Sequence, residues 1–101
     1  ITRMLVKNIK EVLATPASIG ERTDFSNKQD GDLNRYSNII RGLAAKHKLP
    51  LVDLRKAFLD HNLVHNTANK ESGILTTDRV HLNEAGNKLV AEKMWDVLKP
   101  L

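Results

Sequence analysis

The sequence contains no cysteine, which excludes disulfides, thiolate catalysis and cysteine-based zinc sites. It has four aromatic residues for base stacking, and no run of four or more basic residues, although the net charge is +4. No stretch approaches the roughly 18 to 20 apolar residues that a membrane span requires. We therefore expect a soluble protein with a solvated basic surface, without a nucleic-acid partner or a membrane span. Export stays open, because many exported proteins also lack cysteine.

An initiator methionine and a charged-then-apolar leader are also missing, since the chain begins at Ile1. No signal peptide is visible, and we expect the natural start to lie upstream. The 101 residues, 41% hydrophobic and 28% charged, have the size and composition of one small globular domain.

The hydrophobic pattern predicts helices alternating with short strands. In the first half we expect a helix over 2–14, a strand over 17–20, a polar surface loop over 21–34 and a helix over 35–48. Asp32 or Asn34 is the expected cap of that second helix. Its predicted apolar stripe consists of Tyr36, Ile39, Ile40, Leu43 and Ala44.

In the second half, Leu51 to Leu54 form a short apolar run that predicts a strand buried on both faces. We expect a short helix or turn over 55–63, a polar loop over 62–77 and a last helix over 83–98. The apolar positions of that helix are Ala85, Leu89, Val90, Met94, Val97 and Leu98, and Gly42 and Gly86 are expected to be helix packing positions.

This order indicates an α/β fold with a parallel sheet. Two strands are too few for such a sheet, because they leave a sheet edge and apolar helix faces uncovered. Either the chain pairs with a partner or it is a piece of a larger domain.

One segment, from Thr77 to Asn87, points to chemistry. An acid three positions before a histidine, Asp78 and His81, can accept a hydrogen bond from one imidazole nitrogen and leave the other facing a cleft. Such a histidine can accept a proton from a serine hydroxyl. On spacing alone, a chance pair at the start of a helix is the simpler interpretation, and two ligands make a poor metal site.

The residues around this pair resemble a motif of a known protein family. The run Asp78-x-x-His81-Leu82-Asn83-x-x-Gly86-Asn87 resembles the last block of the SGNH/GDSL hydrolases, and residues 34–98 follow that family's order. The resemblance implies a three-layer α/β/α, flavodoxin-like domain with about five parallel strands. It also implies serine ester hydrolysis without a cofactor or metal, with His81 as the general base and Asp78 as its orienting acid.

The sequence departs from the family where the nucleophile is expected. It contains neither the Gly-Asp-Ser run nor the Gly-x-Asn run that supplies the oxyanion asparagine, and no serine present has that context. The four serines are Ser18, Ser26, Ser37 and Ser72. We therefore expect residues 1–101 to be the C-terminal portion of a single hydrolase domain, inactive alone. The expected partner is the N-terminal part of the same domain, as a cleaved or separate chain, or a second copy.

An alternative from another class is a non-catalytic α/β interaction module that assembles through its exposed sheet edge. The remaining histidines are expected at the end of the second helix (His47) and in a polar region (His61 and His65). For His61 and His65 we expect an exposed loop position, with the lining of a substrate cleft as the alternative. Arg79 either contacts the substrate or is solvated, and Met94 and Trp95 are expected to pack on the last helix.

Overall fold

A computed structural model of the chain describes residues 11–100. Within that range the chain forms two strands and three helices. They are β1 (Leu13–Ala14), α1 (Asp30–His47), β2 (Leu51–Val52), α2 (Leu54–His65) and α3 (Glu84–Leu98). The strands pair in parallel, with Leu13 opposite Leu51 and Ala14 opposite Val52. The predicted α/β fold with parallel strands is therefore confirmed. None of the helices between residues 11 and 100 is long and apolar enough to cross a membrane.

The first strand lies where the sequence predicted the end of a helix. Most of the predicted helix 2–14 falls outside the described residues, but its last two positions form β1. The backbone N–H groups of Leu13 and Thr15 donate to Pro50 and Val52, each at 3.0 Å. Pro16 has no N–H to continue the ladder, so the predicted strand 17–20 is wrong. A strand of two residues is too short to show the alternation of apolar and polar residues that distinguishes a strand from a helix in a sequence.

Helix α1 begins at Asp30, five residues before the predicted start. Because of this earlier start, the predicted caps Asp32 and Asn34 lie inside the helix. The N-cap position is Gln29, whose side chain makes no capping hydrogen bond. The Asp30 carboxylate supports the first turn instead, because it accepts hydrogen bonds from the backbone and side chain of Asn27. At the other end His47 occupies the last turn, as predicted.

The apolar stripe predicted for α1 faces away from the core. Tyr36 and Ile39 are 52% and 53% exposed, and of the predicted positions only Ala44 is buried. The buried face of the helix is formed by Asp30, Leu33, Ser37 and Ala44. On α3, likewise, Met94 and Trp95 are exposed instead of packed. Residues 11–100 therefore leave apolar faces of two helices uncovered.

The core combines apolar side chains with a buried ion pair. Its apolar members are Leu33, Ala44, Val52, Leu54, Phe58 and Leu75. Beside them the Arg55 guanidinium, 1% exposed, binds the Asp30 carboxylate at 2.9 Å, which joins α2 to the start of α1. Asn34 and Ser18 accept two further hydrogen bonds from the same guanidinium, so Arg55 binds both α1 and the segment that follows β1.

The second strand is shorter than predicted because Asp53 begins the next helix. The Asp53 side chain accepts from the Lys56 N–H as the N-cap of α2. It also accepts two hydrogen bonds from Arg41 at 2.7 and 2.9 Å, which hold the pKa of Asp53 below its usual range. Of the helix or turn predicted over 55–63, the structure has the helix, which extends to His65. The expected loop position of His61 and His65 is therefore wrong, because both lie on this helix.

Candidate active site

A tight turn between α2 and α3 carries Asp78 and His81. Thr76 and Leu82 form an isolated antiparallel bridge, and the Thr77 N–H donates to the His81 carbonyl at 2.8 Å. This pairing closes a narrow loop with residues 78–80 at its tip. The turn leads directly into α3, as the sequence predicted, so both side chains stand just before the N-terminus of a helix.

Both oxygens of the Asp78 carboxylate are used to bind the His81 segment. Oδ2 lies 2.7 Å from His81 Nδ1. Oδ1 accepts the backbone N–H of His81 at 2.8 Å and that of Val80 at 3.1 Å. The carboxylate thus fixes the imidazole and the backbone on either side of it in one arrangement. The two residues that sequence spacing paired are in contact.

These hydrogen bonds stabilise the ionised carboxylate. The backbone N–H of His81, its side chain and the Val80 N–H together lower the pKa of Asp78 from 3.8 to about 2. Because the pKa in the folded chain is below the unfolded value, the stabilisation is complete above about pH 4. It is lost as the pH falls through about 2.

We expect the Asp78 carboxyl carbon to titrate near pH 2 in a 13C NMR titration. In His81→Ala the titration should move up but stay below 3.8, because the two backbone N–H donors remain. A wild-type midpoint at or above 3.8 would contradict the described contacts.

The His81 side chain is 80% exposed, and its Nε2 atom makes no hydrogen bond to any residue from 11 to 100. With Nδ1 donating to Asp78, the neutral imidazole carries its lone pair on Nε2. A nitrogen of this kind can accept a proton from a hydroxyl group and return it.

Arg79 occupies the tip of the turn in a conformation that is uncommon for arginine, with φ of 81°. Its N–H donates to Thr76 Oγ1 at 3.1 Å, and its carbonyl accepts from the Gly20 N–H at 2.9 Å. The guanidinium forms an exposed ion pair with Glu71 at 3.2 Å. The backbone of Arg79, more than its side chain, is thus held by the surrounding structure.

The start of α3 is fixed against the same turn. Asn83 is the N-cap, and its Oδ1 accepts the Gly86 N–H at 2.9 Å while its Nδ2 donates to the Ile74 carbonyl at 3.1 Å. Gly86 is buried, and a Cβ there would overlap the carbonyl oxygen of Leu75. The predicted packing role of Gly86 is confirmed. Gly42 has no atom within 4 Å of a Cβ position in the described part, so that prediction is wrong there.

Two of the serines, none of which has a nucleophile motif, make side-chain hydrogen bonds within residues 11–100. Ser18 Oγ accepts from buried Arg55, and Ser26 Oγ donates to Asp24 at 2.6 Å. Ser37 is buried on α1. Across residues 11–100, no three histidine, aspartate or glutamate side chains are arranged to hold a metal ion.

The two histidines of α2 contact each other, with ring centroids 4.3 Å apart. Burial, followed by the neighbouring His65, lowers the pKa of His61.

Glu21 is the residue near this site that the sequence did not reveal. The pattern predicted a surface loop from 21 onward, but Glu21 is 1% exposed. Its carboxylate binds the segment 74–76, which is 53 to 55 positions away along the chain. No local pattern marks a residue whose partners are so distant in sequence.

The chain matches a known protein family and a solved structure. Residues 1–94 match the family model described as GDSL-like Lipase/Acylhydrolase. The chain belongs to this family. No curated protein gives a match. Among solved structures, the crystal structure of an acetyl xylan esterase, AlAXEase, is similar, with 57% sequence identity and a TM-score of 0.93.

That similarity covers 96% of this chain and 49% of the acetyl xylan esterase chain. The chain thus spans about half the length of the similar esterase. At that identity and TM-score, the α/β arrangement described above is shared with the esterase. The predicted resemblance to SGNH/GDSL hydrolases is confirmed.

Proposed function

We propose that this chain supplies the general base and its orienting acid to a serine ester hydrolase that acts on acyl esters, in particular O-acetyl esters. The contact between Asp78 Oδ2 and His81 Nδ1 at 2.7 Å carries the proposal, because Nε2 of this exposed imidazole then has no hydrogen bond to any residue from 11 to 100. Membership of the GDSL-like family supports ester hydrolysis. The likeness to an acetyl xylan esterase supports an acetyl group as the acyl part.

In this proposal a serine hydroxyl from the remainder of the domain attacks the ester carbonyl. Its proton passes to His81 Nε2 as the oxygen–carbon bond forms, and Asp78 stabilises the resulting imidazolium. The imidazolium then protonates the leaving alcohol oxygen as the ester bond breaks, which leaves an acyl-serine. A water molecule repeats the sequence, losing a proton to His81, and releases the carboxylic acid and the free serine.

We also propose that residues 1–101 form the C-terminal portion of one hydrolase domain. Two observations support this: the chain corresponds to 49% of a similar esterase, and α1 and α3 expose apolar side chains. The partner is then the N-terminal part of the same domain, on the same or a separate chain, or from a second copy. That part supplies the nucleophile and the oxyanion donors, and the present chain alone is inactive.

The test is an assay of the complete gene product on p-nitrophenyl acetate and on acetylated xylan. We expect hydrolysis of the first, and release of acetate from the second if the alcohol is a carbohydrate. The chain can also be fused to the half of the acetyl xylan esterase that it does not match. This fusion should be active, while each half alone is not.

A folded complete protein and a folded fusion that both leave p-nitrophenyl acetate intact would contradict the proposal. That result would favour a non-catalytic interaction module.

A further inference from the structure

The Glu21 carboxylate is buried in a cradle of backbone amides. Oε1 accepts the Leu75 N–H at 2.7 Å, and Oε2 accepts the N–H groups of Ile74 at 3.1 Å and Thr76 at 3.2 Å. The Thr76 hydroxyl donates to Oε2 at 2.8 Å, and Asn62 Nδ2 lies 3.5 Å from Oε1. Three successive amides and a hydroxyl therefore converge on one side chain.

This carboxylate forms no salt bridge with any residue in the described range 11–100, although it is 1% exposed. A buried charge requires compensation, and successive N–H groups that point at an anion provide it. The conformation of the 74–76 backbone and the charge of Glu21 thus depend on each other.

A short series of hydrogen bonds joins Glu21 to the turn that carries Asp78 and His81. The Thr76 hydroxyl donates to Glu21 and accepts from the Arg79 N–H at 3.1 Å. On the other side of Arg79, its carbonyl accepts from the N–H of Gly20, the neighbour of Glu21, at 2.9 Å. Arg79 lies between Asp78 and His81, and its positive φ is unfavourable unless neighbouring contacts hold it.

We infer that Glu21 is a positioning residue, which holds the Asp78–His81 turn in its described geometry through Thr76 and the backbone of Arg79. Its consequence for catalysis rests on the function proposed above, whereas its effect on the turn does not. Glutamine is a poor substitute, because its single carbonyl oxygen cannot replace two acceptors and its NH2 group faces amide donors.

The experiment compares Glu21→Gln with Asp30→Asn in the complete gene product, under conditions where circular dichroism shows both to be folded. Asp30 is a matched control because it is also a buried carboxylate, 3% exposed, but it binds Arg55 and Asn27. Three quantities are measured: the 13C titration of Asp78, the 15N shifts that report the His81 tautomer, and kcat and KM for p-nitrophenyl acetate.

We expect Glu21→Gln to move the Asp78 titration from about 2 toward 3.8 and to mix the His81 tautomers. It should lower kcat by about tenfold to a hundredfold with KM nearly unchanged, as expected when a catalytic group is displaced by about 1 Å. Asp30→Asn should reduce the melting temperature and leave all three quantities near the wild-type values. Unchanged Asp78 titration and His81 tautomer in folded Glu21→Gln would overturn the inference.

Thr76→Val provides a second test if Glu21→Gln does not fold. It removes the hydroxyl that links Glu21 to Arg79 and keeps the three amide hydrogen bonds. We expect the same changes with smaller amplitude, and an unaltered Asp78 titration in this variant would overturn the inference. If the wild-type protein hydrolyses no ester, the NMR results still decide the positioning role, so failure of the proposed function is recognised separately.

Discussion

Replacing His81 with alanine is expected to lower kcat/KM for p-nitrophenyl acetate in the complete gene product by on the order of ten-thousand-fold or more. In the proposed mechanism, the variant loses the imidazole that takes the serine proton and returns it to the leaving alcohol. The fold should be little affected, because the imidazole is 80% exposed and, within residues 11–100, its one hydrogen bond is to Asp78. Steady-state kinetics together with a thermal denaturation curve measure both effects.

Asp78→Asn provides a sharper comparison at the same turn. The asparagine Oδ1 can still accept the backbone N–H groups of Val80 and His81, so the turn is retained. Its amide NH2, however, would face Nδ1 and favour the tautomer with the proton on Nε2, which cannot accept one. A loss on the order of ten-thousand-fold is expected here too.

His47→Ala is a suitable control, because His47 lies in the last turn of α1 and takes no part in the proposed mechanism. It should leave kcat/KM unchanged. A His81→Ala protein that hydrolyses the ester at the wild-type rate would remove His81 from the mechanism and with it the assignment of the pair.

Sequence reasoning placed Asp78 beside His81, as the structure does, because the geometry of this pair is local. Asp78 and His81 are three positions apart, and every hydrogen bond between them lies within that interval. Asn83 and Gly86 define the start of α3 in the same local way. A short motif that contains its own contacts can be read without knowing the rest of the fold.

The features that sequence reasoning missed depend on distant partners. Leu13 and Ala14 have helical spacing, yet they pair with β2, 38 positions away, since tertiary pairing overrides local preference. Glu21 stands in a polar stretch but is buried against residues more than fifty positions later. The apolar stripe predicted for α1 lies mostly on the exposed side of the helix within residues 11–100, because Leu33, Ser37 and Ala44 form its buried face.

Substitution of Gly86 by alanine is expected to destabilise the protein by about 2 to 3 kcal/mol, although alanine is the better helix former. An added Cβ would overlap the carbonyl oxygen of Leu75 and lie 3.2 Å from Leu82 Cβ. The carbonyl cannot easily withdraw, because it accepts the Asn83 N–H at 3.0 Å and belongs to the segment that Glu21 binds. Urea denaturation of both proteins gives the difference in the free energy of unfolding.

Gly42→Ala is the matched control for that measurement. Gly42 also lies within a helix, but nothing in the described range comes within 4 Å of its Cβ position. Alanine there should stabilise the protein by about 0.5 to 1 kcal/mol through helix propensity alone. Opposite signs for the two substitutions separate the effect of close packing from that of propensity. Equal shifts would show that α3 does not pack against Leu75 as described. Because Leu75 and Leu82 flank the turn, Gly86→Ala should also lower ester hydrolysis, whereas Gly42→Ala should not.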